Sequence, residues 1–178
     1  MTISPEFRSQ LIAAIPGLRA FGMSLTARGD RADDLVQETL MKAWKHHDSY
    51  QPGTNMKAWL YTILRNEFYT QLRKRKREVE DADGAYSGRV IVPAEQNGHL
   101  DMADLRIALD KLPEDQREAV ILVGASGFSY EEAAEICSVA VGTVKSRVNR
   151  ARARLSVLLK LETNPKSNAP FEIKSLGI

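Results

Sequence analysis

The chain has 178 residues, of which 27% are charged and 43% apolar, an ordinary balance for a soluble protein, and the lack of any long apolar run excludes a membrane span. The net charge of +2 hides an uneven distribution, because cations cluster at 73–77 and 145–154 and acids at 78–83. One cysteine cannot form an internal disulfide framework, and the N-terminus lacks the charged and apolar regions of a secretory signal, so a cytoplasmic protein is expected.

The predicted elements begin with two helices between residues 4 and 25. Ser4 can cap the first of them, and Pro5 suits its first position. Pro16 and Gly17 interrupt the apolar pattern, so a second helix is expected to follow with its own apolar residues, Leu18, Phe21 and Leu25. Both helices are interpreted as core helices of a bundle.

The stretch from Asp30 to His47 predicts an amphipathic helix. Asp30 is a good N-cap, and Asp33 in the first turn suits the helix dipole. The buried stripe is predicted to contain Ala32, Leu35, Val36, Leu40, Ala43 and Trp44. By pattern alone the opposite face is a solvated polar face, formed by Asp34, Gln37, Glu38, Met41 and Lys45. The adjacent His46 and His47 point in different directions and cannot chelate an ion together, so no metal site is expected.

A long helix is predicted from about Asn55 to Arg77, after a turn marked by Pro52 and Gly53. Its core side is predicted to contain Met56, Trp59, Leu60, Ile63, Leu64 and Leu72. The remaining surface carries Tyr61, Arg65, Asn66, Tyr69 and Arg73. Aromatic rings between cations suit single-stranded nucleic acid, because the rings stack on bases and the cations hold the backbone. A mixed surface helix is the alternative.

The composition changes abruptly after residue 77. Residues 78–97 are acidic and then contain glycine and serine, which predicts an interdomain linker. The chain is therefore divided into an N-terminal domain at 1–77, an acidic flexible linker at 78–99, a second domain at 100–161 and a polar tail at 162–178. Whether the tail is ordered stays open.

The second domain is organised around residues 112–155, which predict a helix-turn-helix unit. Ser129 and Glu132 fit a capping box, and a tight turn follows at 137–140, although Ser138 stands where glycine is more usual. The next helix has an apolar stripe of Val144, Val148, Ala151, Leu155 and Leu158. Off this stripe lie the cations Lys145, Arg147, Arg150, Arg152 and Arg154. A cationic helix held by an apolar seam can enter the major groove of DNA.

The run FSYEEAAEIC, followed by VAVGTVKSRVNRARARL, resembles region 4 of the extracytoplasmic-function (ECF) sigma factors, the small promoter-specificity subunits of bacterial RNA polymerase. The resemblance implies that this unit binds the −35 promoter element. The residues expected to contact that DNA are Thr143, Lys145, Ser146, Arg147, Arg150 and Arg154. Lys145 and Arg147 are expected near base edges, and Arg150 and Arg154 near phosphates.

Two further runs resemble the same family. DLVQETLMKAW resembles region 2.2, the helix that docks on the polymerase core, and this implies a contact through Asp34, Gln37, Glu38 and Met41. WLYTILRNEFYTQLRKRKR resembles regions 2.3 and 2.4, which melt and read the −10 element. Asn66 would then lie near the flipped base, and the residues implied at the −10 DNA are Trp59, Tyr61, Arg65, Asn66, Tyr69, Arg73 and Arg75.

The sequence therefore predicts an all-α protein of two small helical domains, a sigma region 2 bundle and a region 4 helix-turn-helix, joined by a flexible linker. Details such as SYEEAAEIC are most similar to the EcfG-type sigma factors of a bacterial general stress response. That resemblance implies a small anti-sigma factor as a partner, besides core RNA polymerase and promoter DNA. No cofactor, membrane contact or small-molecule substrate is expected.

Two other classes of protein were considered. A sigma-mimicking adaptor would bind an anti-sigma factor without binding DNA, but it would be expected to carry a receiver domain and would not need five cations on one helix. An enzyme such as a nuclease would need clustered carboxylates or a histidine-rich metal site, which three histidines and one cysteine do not supply. Cys137 is interpreted as a small buried hydrophobe, with a redox thiol as the alternative.

Overall fold

The computed structural model describes residues 4–81 and 102–159. Most of the predicted linker and the whole predicted tail, 162–178, lie outside the described residues. The chain divides into two compact units, Met1–Arg89 and Val90–Ile178. Every element in the described ranges is a helix, which confirms the predicted all-α fold.

The N-terminal unit is a bundle of three α-helices, with a short 3₁₀ turn at His47–Ser49. The helices are α1 (Pro5–Thr26), α2 (Gly29–Lys45) and α3 (Met56–Asp81). All three pack against one another. The core contains the apolar residues Leu18, Phe21, Leu25, Leu35, Leu60 and Leu64, each at most 3% exposed. This packing leaves one face of α2 and part of α3 in solvent.

The N-terminal segment forms one continuous helix, so the predicted break at Pro16 and Gly17 is wrong. Ser4 caps this helix as predicted, with its Oγ accepting a hydrogen bond from the Phe7 backbone N–H at 3.1 Å. A proline inside a helix costs about 3 kcal/mol. Burial of one large apolar side chain contributes about 1.5–3 kcal/mol, and α1 buries such residues on both sides of Pro16. Tertiary packing therefore keeps the helix intact.

Helix α2 begins earlier than the sequence indicated. Its N-cap is Arg28, which makes no side-chain capping bond, and Asp30 lies in the first turn rather than at the cap. Asp30 pairs instead with Arg28, whose Nη2 lies 2.8 Å from Oδ2 of the carboxylate. Asp33 pairs with Arg19 of α1, Nε to Oδ1 at 2.6 Å, and the hydrogen bond from Arg19 holds the pKa of Asp33 below its usual value. Both acids at this helix start therefore pair with arginines, and Asp30 also accepts a backbone hydrogen bond.

The buried stripe of α2 also differs from the prediction at its C-terminal end. Trp44 is 46% exposed, whereas Thr39 is fully buried and was not predicted. Thr39 lies four residues from both Leu35 and Ala43, so it shares their face of the helix. Its hydroxyl donates to the Leu35 backbone oxygen at 2.7 Å, which satisfies the buried polar group.

The C-terminal unit contains α4 (Met102–Asp110), α5 (Glu114–Gly124), α6 (Tyr130–Cys137) and α7 (Val141–Leu158). Helices α5 and α6 pack on α7. The core is formed mainly by Ala119, Leu122, Phe128, Ala133, Ile136, Val144, Val148 and Ala151, each at most 4% exposed. The predicted stripe of α7 is therefore buried except at its end, where Leu158 is 38% exposed because the helix ends there.

The turn between α6 and α7 follows the sequence prediction. The capping box is complete: the Ser129 hydroxyl accepts from the Glu132 backbone N–H at 3.0 Å, and the Glu132 carboxylate accepts from the Ser129 backbone N–H at 2.9 Å. Ser138 ends α6 in the left-handed conformation, with φ of 54°, and Ala140 is an N-cap without a side-chain bond. Cys137 is buried beside this turn, in agreement with a packing role. This geometry fixes the angle at which α7 leaves α6.

Candidate functional site

The outer face of α2 carries the four residues predicted to meet the polymerase core. Asp34, Gln37, Glu38 and Met41 are all exposed, and their spacing of three, four and seven residues places them on one face. Met41 is 65% exposed, and the neighbouring Trp44, which the sequence pattern assigned to the core, extends this face. Two carboxylates, an amide and two large apolar side chains in one strip are suited to binding another protein.

A polar network joins the inner edge of this face to α3. The Lys42 ammonium pairs with the Glu67 carboxylate, which is only 10% exposed. Gln71 donates a second hydrogen bond to Glu67, Nε2 to Oε1 at 2.9 Å. Burial raises the pKa of Glu67, but the hydrogen bonds from Lys42 and Gln71 together outweigh this and leave it below its usual value. Sequence reasoning missed this network, because no local pattern pairs residues 25 positions apart.

The predicted −10 surface is partly assembled on α3. The Arg65 guanidinium lies 4.7 Å from the centre of the Tyr69 ring, so a cation and an aromatic ring stand together. Asn66, Arg73 and Arg75 are exposed on the same helix. These side chains offer a ring for stacking, an amide for a base edge and cations for phosphates.

Two aromatic residues of the predicted −10 set are partly or wholly covered by the bundle. Tyr61 is only 1% exposed and stacks on Phe21 of α1 with ring centres 4.9 Å apart, so its predicted place on the outer surface of α3 is wrong. Trp59 is half-buried in an aromatic cluster with Phe7 at 6.2 Å and Tyr50 at 5.3 Å. The physical reason is that α1 covers this side of α3, which the pattern of α3 alone could not indicate.

Helix α7 turns a polar face outward, opposite its buried stripe. The exposed residues on it are Thr143, Lys145, Asn149, Arg150 and Arg154, and Ser146 is half-buried. Asn149 was not among the predicted contacts. The Lys145 ammonium lies 5.7 Å from the centre of the Tyr130 ring at the start of α6. The predicted −35 residues therefore share one accessible helix, with Arg147 as the exception.

Arg147 is held against the protein. Its side chain is 21% exposed, and its Nε lies 3.2 Å from Oδ2 of Asp115 in the first turn of α5. The structure thus places this cation between two helices, although the sequence pattern placed it at a base edge. The missed partner, Asp115, lies 32 positions upstream, too far for a helical pattern to pair it with Arg147.

In the part of the chain that the structure describes, neither a group of metal ligands nor a membrane-spanning helix is present. Within residues 4–81 and 102–159, no three histidine, cysteine, aspartate or glutamate side chains are grouped so that they could hold a metal ion. None of the described helices combines the length and the apolar character needed to cross a bilayer. His47, one of the paired histidines, uses its Nδ1 to contact the Trp44 backbone oxygen at 3.0 Å.

Comparison with known protein families defines the class of protein. Residues 11–78 match Sigma-70 region 2, and residues 103–155 match Sigma-70, region 4. The first match covers most of the three-helix bundle and the second covers the helix-turn-helix unit. The chain is thus built from the two regions of a sigma factor that bind promoter DNA.

Individual relatives narrow the class to one family. The chain is 59% identical over 162 residues to the ECF RNA polymerase sigma factor EcfG of Rhodopseudomonas palustris, an alignment that covers 91% of this chain and 90% of the relative. It is similar to the sigma factor RpoE of Bartonella quintana, solved with the anti-sigma factor NepR, at 56% identity and a TM-score of 0.81, covering 90% of this chain and 100% of that one. CnrH of Cupriavidus metallidurans, solved with the cytosolic domain of CnrY, matches at 27% identity and a TM-score of 0.62, with coverage of 88% and 89%.

The chain belongs to the ECF sigma factor family. This confirms the resemblance that the sequence runs indicated. Members of this family bind core RNA polymerase and direct it to promoters, and the family is not one of enzymes.

Proposed function

We propose that this chain binds core RNA polymerase through the outer face of α2, reads the −10 element with α3 and the −35 element with α7, and serves stress-response genes. The observation that carries this proposal is the 59% identity to an EcfG sigma factor over 91% of the chain. Such a protein has no catalytic activity of its own and acts in the cytoplasm, where the polymerase is. Residues 1–77 and 100–161 are the proposed functional domains, joined by 78–99.

The proposed core contact is formed by Asp34, Gln37, Glu38 and Met41. Their side chains lie outside the core of the bundle, so they are available to a partner. Carboxylates and an amide can meet arginines of a partner through charge-assisted hydrogen bonds, and Met41 with Trp44 adds apolar area.

The proposed −10 contact is formed by Arg65, Asn66, Tyr69, Arg73 and Arg75, with Trp59 at its edge. Tyr61 is left out because it is buried. The pairing of Arg65 with Tyr69 supports a stacking platform for an unpaired base. The exposed Arg73 and Arg75 lie further along α3, where they can neutralise phosphates.

The proposed −35 contact is formed by Thr143, Lys145, Ser146, Arg150 and Arg154 on α7. The four residues of the buried stripe hold this helix against α5 and α6, which leaves its polar face for the major groove. Loss of Arg150 or Arg154 should weaken DNA binding about equally across sequences.

The proposed regulator is a small anti-sigma protein that competes with core polymerase. The similar sigma factor RpoE of Bartonella quintana has been solved with the anti-sigma factor NepR, and CnrH has been solved with the cytosolic domain of CnrY. A partner that covers the outer face of α2, including Met41 and Trp44, would prevent docking on the polymerase. Purified NepR of Bartonella quintana is the probe: it should bind this chain and displace labelled core. Binding without displacement would reject competition at this face.

The α2 assignment is tested by binding labelled protein to purified core polymerase. The double variant Gln37→Ala with Glu38→Ala should bind core at least about tenfold more weakly, since buried interface hydrogen bonds to charged groups contribute about 1.5–3 kcal/mol. Helical content should stay unchanged, because both side chains are exposed. The matched control is Glu6→Ala with Gln10→Ala, a carboxylate and an amide that are exposed and hydrogen-bonded on α1. Equal affinities for the two double variants would remove the assignment.

A further inference from the structure

The cations on the outward face of α7 lie on two sides of a midline. Successive residues of an α-helix are about 100° apart. The middle of the buried stripe, near Val144 and Val148, is therefore opposite Ser146, Asn149 and Ala153. The cations stand to either side of this midline, with Lys145 on one side and Arg150 and Arg154 on the other. Cations at both margins suit the two phosphate walls of a major groove, and the midline then faces the base edges.

Arg147 does not reach this midline. It is ion-paired with Asp115 of α5, and four-fifths of its side chain is covered. Moving it to a base edge would break its ion pair with the Asp115 carboxylate, which is a contact between α5 and α7. Arg147 therefore positions the recognition helix, and another side chain must read bases at the centre of the groove.

Asn149 meets the requirement for that role. It is exposed on the midline, and its side chain makes no hydrogen bond to any part of the chain that the structure describes. Its amide offers one acceptor and two donors. This pair of functions matches adenine, which presents the N7 acceptor and the N6 donor in the major groove, whereas guanine presents two acceptors.

We propose that Asn149 is a base-reading residue that specifies an adenine in the −35 element, and that the Asp115–Arg147 pair positions it. The Asn149 side-chain oxygen accepts from the adenine N6 amino group, and its NH₂ group donates to N7. Lys145, Arg150 and Arg154 hold phosphates on either side. This inference rests on the proposed function, because it requires α7 to lie in the −35 major groove.

The test uses holoenzyme reconstituted from the full chain and core polymerase, with promoter duplexes in which the −35 region is randomised. Wild-type holoenzyme should enrich adenine at one or more positions. Asn149→Ala should lower that preference at one position by about fivefold to 150-fold and leave the other positions unchanged. At the affected position, 7-deazaadenine removes the N7 acceptor. It should weaken binding of the wild type but cause no further loss in Asn149→Ala.

Two control variants separate base reading from general binding. Arg154→Ala should lower affinity about equally for all sequences and reduce the salt dependence. Gln10→Ala, which removes an exposed amide of α1 outside all the proposed contacts, should leave both the affinity and the −35 preference intact.

The outcomes distinguish this inference from the proposed function. If wild-type holoenzyme shows no −35 preference at all, the proposed function itself fails. If the wild type has a preference that Asn149→Ala retains unchanged, Asn149 is not the reader, and the proposed function still stands.

Discussion

Glu67 shows how one residue can stabilise the N-terminal unit without any signal in the local sequence. Its carboxylate is nearly covered, yet it stays ionised because Lys42 of α2 and Gln71 of α3 both donate to it. A buried carboxylate without partners would be costly. The network therefore ties the helix proposed to bind polymerase to the helix proposed to bind the −10 DNA.

Glu67→Gln should destabilise the N-terminal unit by about 1 kcal/mol at neutral pH, because the Lys42 side chain is 47% exposed and water weakens the pair. The pKa of Glu67 is lower in the folded state. Its contribution is thus present above the ordinary glutamate pKa and is lost as the pH falls through the lowered value. Urea titrations from pH 7 to pH 3 measure the free energy of unfolding. This free energy should fall less steeply with pH in the variant than in the wild type. The exposed Glu38→Gln is the control, and identical profiles for Glu67→Gln and wild type would contradict the assignment.

Residue-level prediction from sequence succeeded where the local pattern decides the outcome. The exposed face of α2 follows from helical periodicity, and Asp34, Gln37 and Glu38 are where it placed them. Tyr61 and Arg147 were misplaced for a different reason. Their partners, Phe21 and Asp115, lie 40 and 32 positions away, and only the packing of α1 and α5 brings them into contact.

At the scale of elements, α1 is fixed by its close approach to α3. A Cβ atom added at Gly17 would lie 2.8 Å from the Tyr61 hydroxyl oxygen, closer than two such atoms can pack. Tyr61 cannot move aside, because its ring is buried against Phe21. Packing therefore requires glycine at position 17. The sequence suggested a helix end at Pro16-Gly17, but the glycine is there for this contact and the helix continues.

Gly17→Ala and Gly22→Ala form a matched pair in this helix. Gly17→Ala should destabilise the N-terminal unit by about 1–3 kcal/mol through overpacking. Gly22→Ala should stabilise it by about 0.5–1 kcal/mol, because its new Cβ would lie 3.5 Å from Ala32, an ordinary contact, and alanine favours the helix. Thermal denaturation followed by circular dichroism measures both. If Gly17→Ala instead stabilised the unit, the Tyr61 side chain would move aside easily, which would contradict this account.

Helix α6 provides a second matched pair at its two ends. Ser129→Ala removes the capping box and should cost about 0.5–2 kcal/mol. Ser138→Gly relieves the left-handed conformation and should stabilise the C-terminal unit by up to about 1 kcal/mol. Denaturant unfolding of the full chain, followed by a probe in the C-terminal unit, would detect the two opposite shifts. Shifts of equal sign would contradict this account of the turn.

Element boundaries were predictable where caps and turns carry a local signal. Ser4, Ser129 and the turn at 137–140 all appear as expected, because capping depends on residues three positions apart. The continuity of α1 was not predictable, since the cost of Pro16 is local but the burial that offsets it is tertiary. The start of α2 was missed because Arg28, which offers no acceptor for a backbone amide, occupies the N-cap.

At the scale of the whole molecule, the sequence indicated both the fold class and the family. Two amphipathic helical segments separated by an acidic stretch predicted two helical domains, and the chain divides into two compact units. The runs quoted from α2, α3, α6 and α7 lie within the matches to regions 2 and 4. Which residues touch polymerase and DNA depends on partners that the chain meets only in the assembled complex.

Single-round transcription by purified core polymerase on a genomic promoter library tests the central claim most directly. The reaction compares core alone, core with this chain, and core with the Gln37→Ala and Glu38→Ala double variant. With the chain, core polymerase should produce transcripts from a restricted set of promoters that share −35 and −10 sequences. A higher concentration of the double variant should be needed to reach the same transcript yield. Transcription that is identical with and without the chain, while NepR still binds it, would contradict the account and identify a sigma-mimicking adaptor instead.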